Sequence, residues 1–151
     1  AASAVAVGIT CGIAIAQCVE GLSNAQSASQ RMQWMTGGNG VRILDDSYNA
    51  NPMSVAAALR TVAETSAAQR FAVLGVMAEV LESEKAHREI GSLCKQLGIE
   101  LLAVETDLYG TKALSVADIA KALGELDSDA VVLVKGSRVA ATERVVHALT
   151  A

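Results

Sequence analysis

The chain has 151 residues, which is enough for one ordinary domain with a substantial core. It is 52% hydrophobic but only 3% aromatic, so the core must be built mainly from Ala, Val, Leu and Ile. The formal net charge is -4 and no cluster of Lys and Arg occurs, which excludes a basic nucleic-acid-binding face.

The first segment is apolar but does not have the features of a membrane span. Residues 1–18 carry no charged side chain, are rich in small residues and lack a basic flank, unlike a signal peptide or an anchored span. We therefore expect no membrane association, and predict that residues 1–22 form a buried helical segment. Such a segment needs neighbours to cover it, so we expect the chain to begin partway through a larger protein. The polar residues 23–30, SNAQSASQ, are typical of a linker.

A β-hairpin is predicted next. The segments 31–35 (RMQWM) and 41–44 (VRIL) flank the glycine-rich turn TGGNG at 36–40. An Asn-Gly pair between two apolar runs is a strong hairpin signal.

From residue 41 onward, short apolar runs alternate with helical patterns. The predicted strands are 41–44, 71–74, 99–104 and 130–134, and the predicted helices are 52–64, 83–97, 115–123 and 139–149. This alternation predicts βαβ units, and the continuous apolar runs fit a sheet covered on both faces. The predicted fold is a Rossmann-like, doubly wound α/β domain with a mostly parallel sheet and an N-terminal hairpin.

Three helix starts carry a residue that can cap a helix. Asn51 precedes Pro52, whose missing N–H is tolerated at the first helical position. Ser83 is predicted to cap the helix that carries His87, and Ser137 to cap the last helix.

Polar loops follow three of the predicted strands, at 45–51, 75–82 and 135–138. Ligands of open α/β sheets bind beyond the carboxyl ends of the strands, so these loops should share one edge. Lys135, Ser137 and Arg138 surround a helix start, a favourable place for an anion. Each loop taken singly is explained by turn and cap chemistry, but together they favour a ligand site. The chain lacks GxGxxG and GxxxxGK[ST], so it has no phosphate-binding loop of those types.

The other reactive side chains form no predicted site. The three cysteines are an odd number without metal-ligand spacing, which favours reduced thiols. His87 has no histidine at metal-site spacing, although it can point toward the cleft, and His147 is predicted to be exposed. Glu79, Glu82, Glu84 and Glu89 are interpreted mainly as solvated helix charges. No metal site is predicted.

Four segments resemble the C-terminal part of the Mur ligases. They are ILDDSYNANPMS at 43–54, RMQ at 31–33, LGVMAEV at 74–80 and LVKGSR at 133–138. The resemblance covers essentially the whole chain. It implies that residues 1–29 are the helical end of a central ATPase domain plus a linker, and that residues 30–151 are the Mur ligase C-terminal domain.

The resemblance implies an ATP-dependent peptide ligase of the bacterial cytoplasm. The most similar branch of the family joins D-alanyl-D-alanine to UDP-N-acetylmuramoyl-tripeptide through an acyl phosphate, for peptidoglycan precursor synthesis. ATP and Mg²⁺ are bound mainly by a central domain outside this chain, so we expect the isolated chain to be inactive. The implied partners are these small molecules and the other domains of the same polypeptide, and a monomer is expected.

The resemblance also assigns residues. It implies that Arg31 and Asp46 face the nucleotide, with Asp46 on the ribose hydroxyls and Arg31 on the phosphates. The residues implied to hold the dipeptide are Asn49, Asn51, Lys135, Ser137 and Arg138. It implies no catalytic residue and no metal ligand in this chain.

Two departures from the family pattern keep alternatives open. Val76 stands where the family usually has an acidic residue, and the loop through Glu79, Val80 and Leu81 is one residue short. One alternative is a non-catalytic α/β ligand-binding module. Another is a related Mur or folylpolyglutamate-type ligase with a different amine acceptor.

Overall fold

The computed structural model describes residues 2–25 and 28–151. The chain starts with helices α1 (Ala2–Thr10) and α2 (Ile15–Ser23), separated by Gly12 in a left-handed conformation with φ of 80°. The predicted helical structure of this segment is confirmed, but its predicted burial is wrong within this chain. Five large apolar side chains, from Val7 to Val19, are 45–63% exposed. No neighbouring element of the described chain covers them.

The remaining elements alternate as predicted. They are β1 (Gln33–Thr36), β2 (Arg42–Asp46), α3 (Pro52–Glu64), β3 (Gln69–Leu74), α4 (Ser83–Gln96), β4 (Glu100–Val104), β5 (Ala113–Leu114), α5 (Val116–Leu123), β6 (Ala130–Lys135) and α6 (Glu143–Thr150). The two-residue strand β5 was not predicted, because it is too short to show an apolar pattern. Along residues 2–25 and 28–151, no helix is both long enough and apolar enough to cross a bilayer.

The described residues form one six-stranded sheet in the order β1-β2-β6-β3-β4-β5. Strands β1 and β2 pair antiparallel, which confirms the hairpin, and the other pairs are parallel. The sheet is therefore mostly parallel, as predicted. Strand β6, the last along the chain, lies between β2 and β3, so the loops that follow these three strands are neighbours.

Helices cover both faces of the sheet. Alternate strand residues face opposite sides, because side chains in a strand alternate in direction. Leu44 and Leu133 pack with residues of α3 and α4 on one face, whereas Ile43 and Val132 pack with α5 and α6 on the other. This arrangement confirms the doubly wound α/β fold.

The predicted helix caps have three different outcomes. Asn51 caps α3: its Oδ1 accepts the Ser54 N–H at 2.9 Å, and the Ser54 Oγ accepts the Asn51 N–H at 3.2 Å. Ser83 is not a cap but the first residue of α4, where its carbonyl accepts a hydrogen bond from the His87 ring. Ser137 precedes a short 3₁₀ turn, and its hydroxyl makes no capping bond to that turn.

The last predicted helix is interrupted. A 3₁₀ turn (Arg138–Ala140) comes first, Ala141 then takes a left-handed φ of 46°, and α6 begins at Glu143. The cause is close packing under the break. A Cβ at Gly75 would lie 2.6 Å from the Thr142 Cγ2, and one at Gly136 would lie 2.7 Å from the same atom. The two glycines let Thr142 pack closely against the strand ends, directly after the break in the helical path.

Candidate functional site

The three predicted loops do meet at one edge of the sheet. Ser137 is the point where they join: its N–H donates to the Val76 carbonyl at 3.0 Å, and its Oγ accepts the Ala78 N–H at 2.7 Å. The same hydroxyl donates to the Ala50 carbonyl at 3.4 Å. Because Ser137 is only 2% exposed, these bonds fix the relative positions of the loops after β2, β3 and β6.

Asp46 and Lys135 form an ion pair at the centre of this edge. They occupy paired positions on the parallel strands β2 and β6, and the Lys135 Nζ lies 2.5 Å from the Asp46 Oδ2. The Nζ also donates to the Asn49 carbonyl at 2.7 Å. Lys135 is 2% exposed and the Asp46 side chain 13%. A dipeptide carboxylate would have to compete with these bonds to reach Lys135. The direct effect of Lys135 in this structure is therefore to shape the loop from Asp46 to Asn49.

The segment before β1 is fastened to the same loop. The Met32 N–H donates to the Asp46 Oδ1 at 3.1 Å, and the Tyr48 N–H donates to the Gln30 carbonyl at 3.1 Å. The Arg31 guanidinium carbon lies 4.2 Å from the centre of the Tyr48 ring, a cation–π contact. Arg31 therefore lies beside the loop that carries Asp46.

A first cavity, of 430 Å³, opens beside this cluster. Its walls include Arg31, Asp46, Asn49, Asn51 and Lys135. Both predicted nucleotide-binding residues therefore share one cavity with three of the predicted dipeptide-binding residues. The amide oxygens of Asn49 and Asn51 accept local backbone N–H groups, so their NH₂ groups are the parts that can donate to a ligand.

A second cavity, of 260 Å³, lies on the other side of the segment Tyr48–Asn49. It is lined by Tyr48, Asn49, Ala78, Glu79, Ser137, Arg138 and Val139. Ser137 and Arg138 therefore line a different cavity from Arg31 and Asp46, at the same edge of the sheet. Glu79 was interpreted with the solvated helix charges; it instead lies in the loop before α4 and lines this cavity. Its position between a strand end and a helix start was the signal that could have found it.

The loop after β3 rests on a buried histidine. The Met77 N–H donates to the His87 Nε2 at 2.8 Å, so this nitrogen must be the unprotonated acceptor of a neutral ring. The other nitrogen, Nδ1, then carries the proton and donates to the Ser83 carbonyl at 2.6 Å. His87 is fully buried, so it supports the loop from below and does not point into the cleft. His147 is exposed, as predicted.

Tyr109 supports the start of the same loop. Its hydroxyl donates to the Gly75 carbonyl at 2.7 Å, and its ring meets the His87 ring edge-on at 4.8 Å. Burial raises the pKa of the Tyr109 phenol above its usual value, and the neighbouring Cys94 adds to the shift. The phenol therefore remains a hydrogen-bond donor throughout the neutral range.

A larger, shallow depression of 700 Å³ runs along the exposed face of α4. Its walls include Glu82, Glu84, Lys85 and Arg88, which pair with one another on the surface at 2.9–3.0 Å. None of the predicted site residues lines it. The edge at the carboxyl ends of the strands therefore remains the candidate site, although its two cavities are smaller than the depression on α4.

Comparison with known proteins agrees with this fold. The family described as Mur ligase, glutamate ligase domain, matches residues 30–149. The UDP-N-acetylmuramoyl-tripeptide–D-alanyl-D-alanine ligase of Mycobacterium tuberculosis is 42% identical over a match that covers 67% of this chain and 21% of that protein. The enzyme of the same name from Escherichia coli is 32% identical, over 99% of this chain and 36% of its own length.

A solved structure is similar as well. The MurF ligase of Thermotoga maritima, in complex with ADP, superposes with a TM-score of 0.82 and 25% identity. The match covers 97% of this chain and 36% of that protein. The chain thus spans between about a fifth and about a third of the length of these relatives.

Proposed function

This chain belongs to the Mur ligase family, and from that premise we propose that it forms the C-terminal domain of an ATP-dependent ligase that joins D-alanyl-D-alanine to UDP-N-acetylmuramoyl-tripeptide. Residues 30–151 form this domain, and the product is a peptidoglycan precursor. The observation that supports the proposal is the convergence on Ser137 of the three loops that follow β2, β3 and β6, which carry most of the proposed ligand-binding residues. The names of the relatives support the choice of substrates.

The proposed reaction forms an amide in two steps. ATP transfers its terminal phosphoryl group to the carboxylate of the tripeptide, and the dipeptide amine then displaces phosphate from the acyl phosphate. The products are the new amide, ADP and phosphate. An acyl phosphate hydrolyses in water, so a domain that closes over it raises the yield as well as the rate. This chain contributes one wall of that closed site.

Arg31 and Asp46 form the nucleotide side of the wall. A carboxylate offers about four acceptor positions, and Asp46 uses one oxygen for the Met32 N–H and the other for Lys135. The remaining positions suit two ribose hydroxyls. Arg31 is exposed, so its guanidinium can leave the Tyr48 ring and pair with phosphate oxygens, for which its forked donors are well matched.

The remaining site residues hold the dipeptide. The amide groups of Asn49 and Asn51 donate from the loop after β2, and Arg138 offers a cation to the dipeptide carboxylate. Ser137 aligns the three loops. Lys135 acts in this proposal by holding Asp46 and Asn49 in place, since its ammonium is bonded to both.

The described residues do not offer a site that fits magnesium. Among the described residues, no three His, Cys, Asp or Glu side chains lie close enough together to hold a metal ion. No step is therefore assigned to a metal bound by this chain. In the proposal the metal and most of the ATP are bound by parts of a central domain that lie outside these 151 residues.

The helices α1 and α2 fit the end of that central domain. Their exposed apolar side chains, Val7, Ile9, Ile13, Ile15 and Val19, would be covered by its other elements. We propose that residues 1–29 are this end and its linker; Ala1, Gln26 and Ser27 lie outside the described residues. The proposed enzyme acts as a monomer in the cytoplasm, and the isolated chain has no ligase activity.

The alternatives differ in one assay. Phosphate release by the full-length protein is measured with ATP, the tripeptide precursor and a panel of amine acceptors. Release that depends on D-alanyl-D-alanine supports the proposal. Phosphate release that depends on a different acceptor identifies a related ligase. If no acceptor causes phosphate release, the protein is a non-catalytic module. Val76 keeps its place in the loop, because its carbonyl accepts the Ser137 N–H.

A further inference from the structure

Two consecutive backbone amides join the buried ring of His87 to the wall of the second cavity. The Met77 N–H donates to the His87 Nε2 at 2.8 Å, and the next amide, that of Ala78, donates to the Ser137 Oγ at 2.7 Å. Ala78 and Ser137 both line the cavity. Met77, His87 and Ser137 are each at most 2% exposed, so these bonds are shielded from water.

The ring of His87 is itself held in one orientation. Its Nδ1 donates to the Ser83 carbonyl at 2.6 Å, one turn earlier in α4. Gly91 lies one turn later on the same face of α4, and a Cβ there would overlap the Tyr109 carbonyl oxygen. The missing side chain thus lets Tyr109 lie against α4, where its ring meets that of His87 edge-on at 4.8 Å and its hydroxyl donates to the Gly75 carbonyl.

The acceptor nitrogen of this ring matters because a buried N–H depends on it. Without an acceptor, the Met77 N–H would be left unpaired, which costs more than the bond itself contributes. The loop must then shift to find another partner. Ser137 is bonded to the loop on both sides of Met77, since its N–H donates to the Val76 carbonyl and its hydroxyl accepts the Ala78 N–H. A shift at Met77 therefore displaces Ser137 and its neighbour Arg138.

We propose that His87 is a positioning residue for the second cavity, whose unprotonated Nε2 holds the loop after β3 so that Ser137 and Arg138 keep their places. The inference rests on the proposed function, which assigns the dipeptide carboxylate to Arg138. The described residues that line the two cavities do not include His87, so it acts through the loop. ATP should be unaffected, because its proposed contacts, Arg31 and Asp46, line the first cavity.

The test compares two substitutions of His87 in the full-length protein by steady-state phosphate release. Glutamine places an amide oxygen where Nε2 lies and can still accept the Met77 N–H, whereas leucine offers no acceptor. His87→Leu should raise the KM for D-alanyl-D-alanine about tenfold or more and leave the KM for ATP unchanged. His87→Gln should stay within about twofold of wild type. A purely structural loss would instead reduce the amount of active enzyme, and so lower kcat at unchanged KM.

His147→Leu is the matched control. It makes the same substitution at an exposed position of α6, and it should change neither KM. If His87→Leu does not fold, His87→Asn takes its place. Asparagine can still donate to the Ser83 carbonyl, but it is too short to reach the Met77 N–H.

Amide hydrogen exchange of the 151-residue chain gives a readout that needs no ligand. The amides of Met77 and Ala78 should exchange at least about tenfold faster in His87→Leu than in wild type or His87→Gln. The amide of Val132, in the central strand β6, serves as the reference and should exchange equally slowly in all three chains.

The outcomes separate this inference from the proposed function. Equal dipeptide KM in wild type and His87→Leu overturns the inference. A glutamine variant as impaired as the leucine variant also overturns it, because the ring volume and not the acceptor would then matter. If wild type releases no phosphate with D-alanyl-D-alanine, the proposed function fails and the exchange rates decide. Faster exchange of Met77 and Ala78 in the leucine variant alone then upholds the positioning role of His87, and equal exchange in all three chains overturns it.

Discussion

The Lys135 ammonium bonds the Asp46 carboxylate across two neighbouring parallel strands, at positions that are in register and 89 residues apart in sequence. The same ammonium bonds the Asn49 carbonyl, so one buried cation holds both ends of the loop that carries Asp46 and Asn49. The geometry of the proposed nucleotide wall therefore depends on a lysine that need not touch the nucleotide.

Replacing Lys135 by methionine should strongly destabilise the domain. The change leaves the Asp46 carboxylate, only 13% exposed, without its counter-ion, and breaking one side of a buried pair costs about 3–5 kcal/mol. The free energy of unfolding of the 151-residue chain is measured by urea denaturation. Asp46→Asn in the same chain should recover part of the loss, because it removes the unpaired charge.

Lys85→Met is the matched control for that measurement. Lys85 also pairs with an acid, but its side chain is 69% exposed, and exposed pairs contribute about 0–1 kcal/mol. A loss at Lys135 no larger than the loss at Lys85 would show that the Lys135 pair does not hold the loop.

Replacing Glu79 by glycine should stabilise the chain. Glycine relieves the left-handed strain, worth about 1 kcal/mol, although the greater freedom of the unfolded chain offsets part of that gain. We expect the free energy of unfolding to rise by up to about 1 kcal/mol. Glu89→Gly, an exposed position inside α4, should instead lower it by about 1 kcal/mol. If the free energy of unfolding falls in both glycine variants, the backbone at Glu79 is not strained.

The buried thiol of Cys94 should make the domain sensitive to alkaline pH. Burial raises the pKa of Cys94 from 9.0 to about 12. The folded state then keeps a proton that the unfolded state loses, so the contribution to stability is complete below pH 9 and falls as the pH rises toward 12. For this group, the free energy of unfolding should fall by at most about 1.4 kcal/mol per pH unit. Unfolding is measured from pH 8 to 11 on wild type and Cys94→Ala.

The Cys94→Ala chain should lose stability less steeply than wild type as the pH rises. Some loss remains in that variant, because burial also raises the pKa of Tyr109. An alkylation experiment gives a second readout. At pH 8 the exposed Cys11 should react with iodoacetamide in the native chain, while Cys94 should react only after denaturation. Rapid native labelling of Cys94, or identical pH profiles for the two chains, would contradict the burial of this thiol.

Local sequence signals were sufficient where the structure depends on neighbouring residues. The helix 52–64 was predicted with its observed bounds, because Asn51, Pro52 and the apolar stripe behind them all lie within one segment. The hairpin was predicted from one turn. The edge that holds the candidate site followed from the general rule for parallel sheets.

Features that depend on distant residues could not be predicted. The interruption near Ala141 arises from packing of Thr142 against Gly75 and Gly136, which meet only in the folded chain. The bonds of Lys135 to Asp46 and Asn49 depend on the register of β2 and β6, which the sequence does not show. Glu79 was grouped with the charges on α4, because the sequence does not show that the loop turns its backbone left-handed into a cavity. The exposure of α1 and α2 reflects apolar faces for which the described chain offers no covering element.

The most direct test of the account is formation of the ligation product by the full-length protein. The protein is incubated with ATP, Mg²⁺, UDP-N-acetylmuramoyl-tripeptide and D-alanyl-D-alanine, and the products are identified by mass spectrometry. The account predicts UDP-N-acetylmuramoyl-pentapeptide, with one ADP and one phosphate formed for each new amide bond. Failure to form that product while the precursor and ATP are both bound would contradict it.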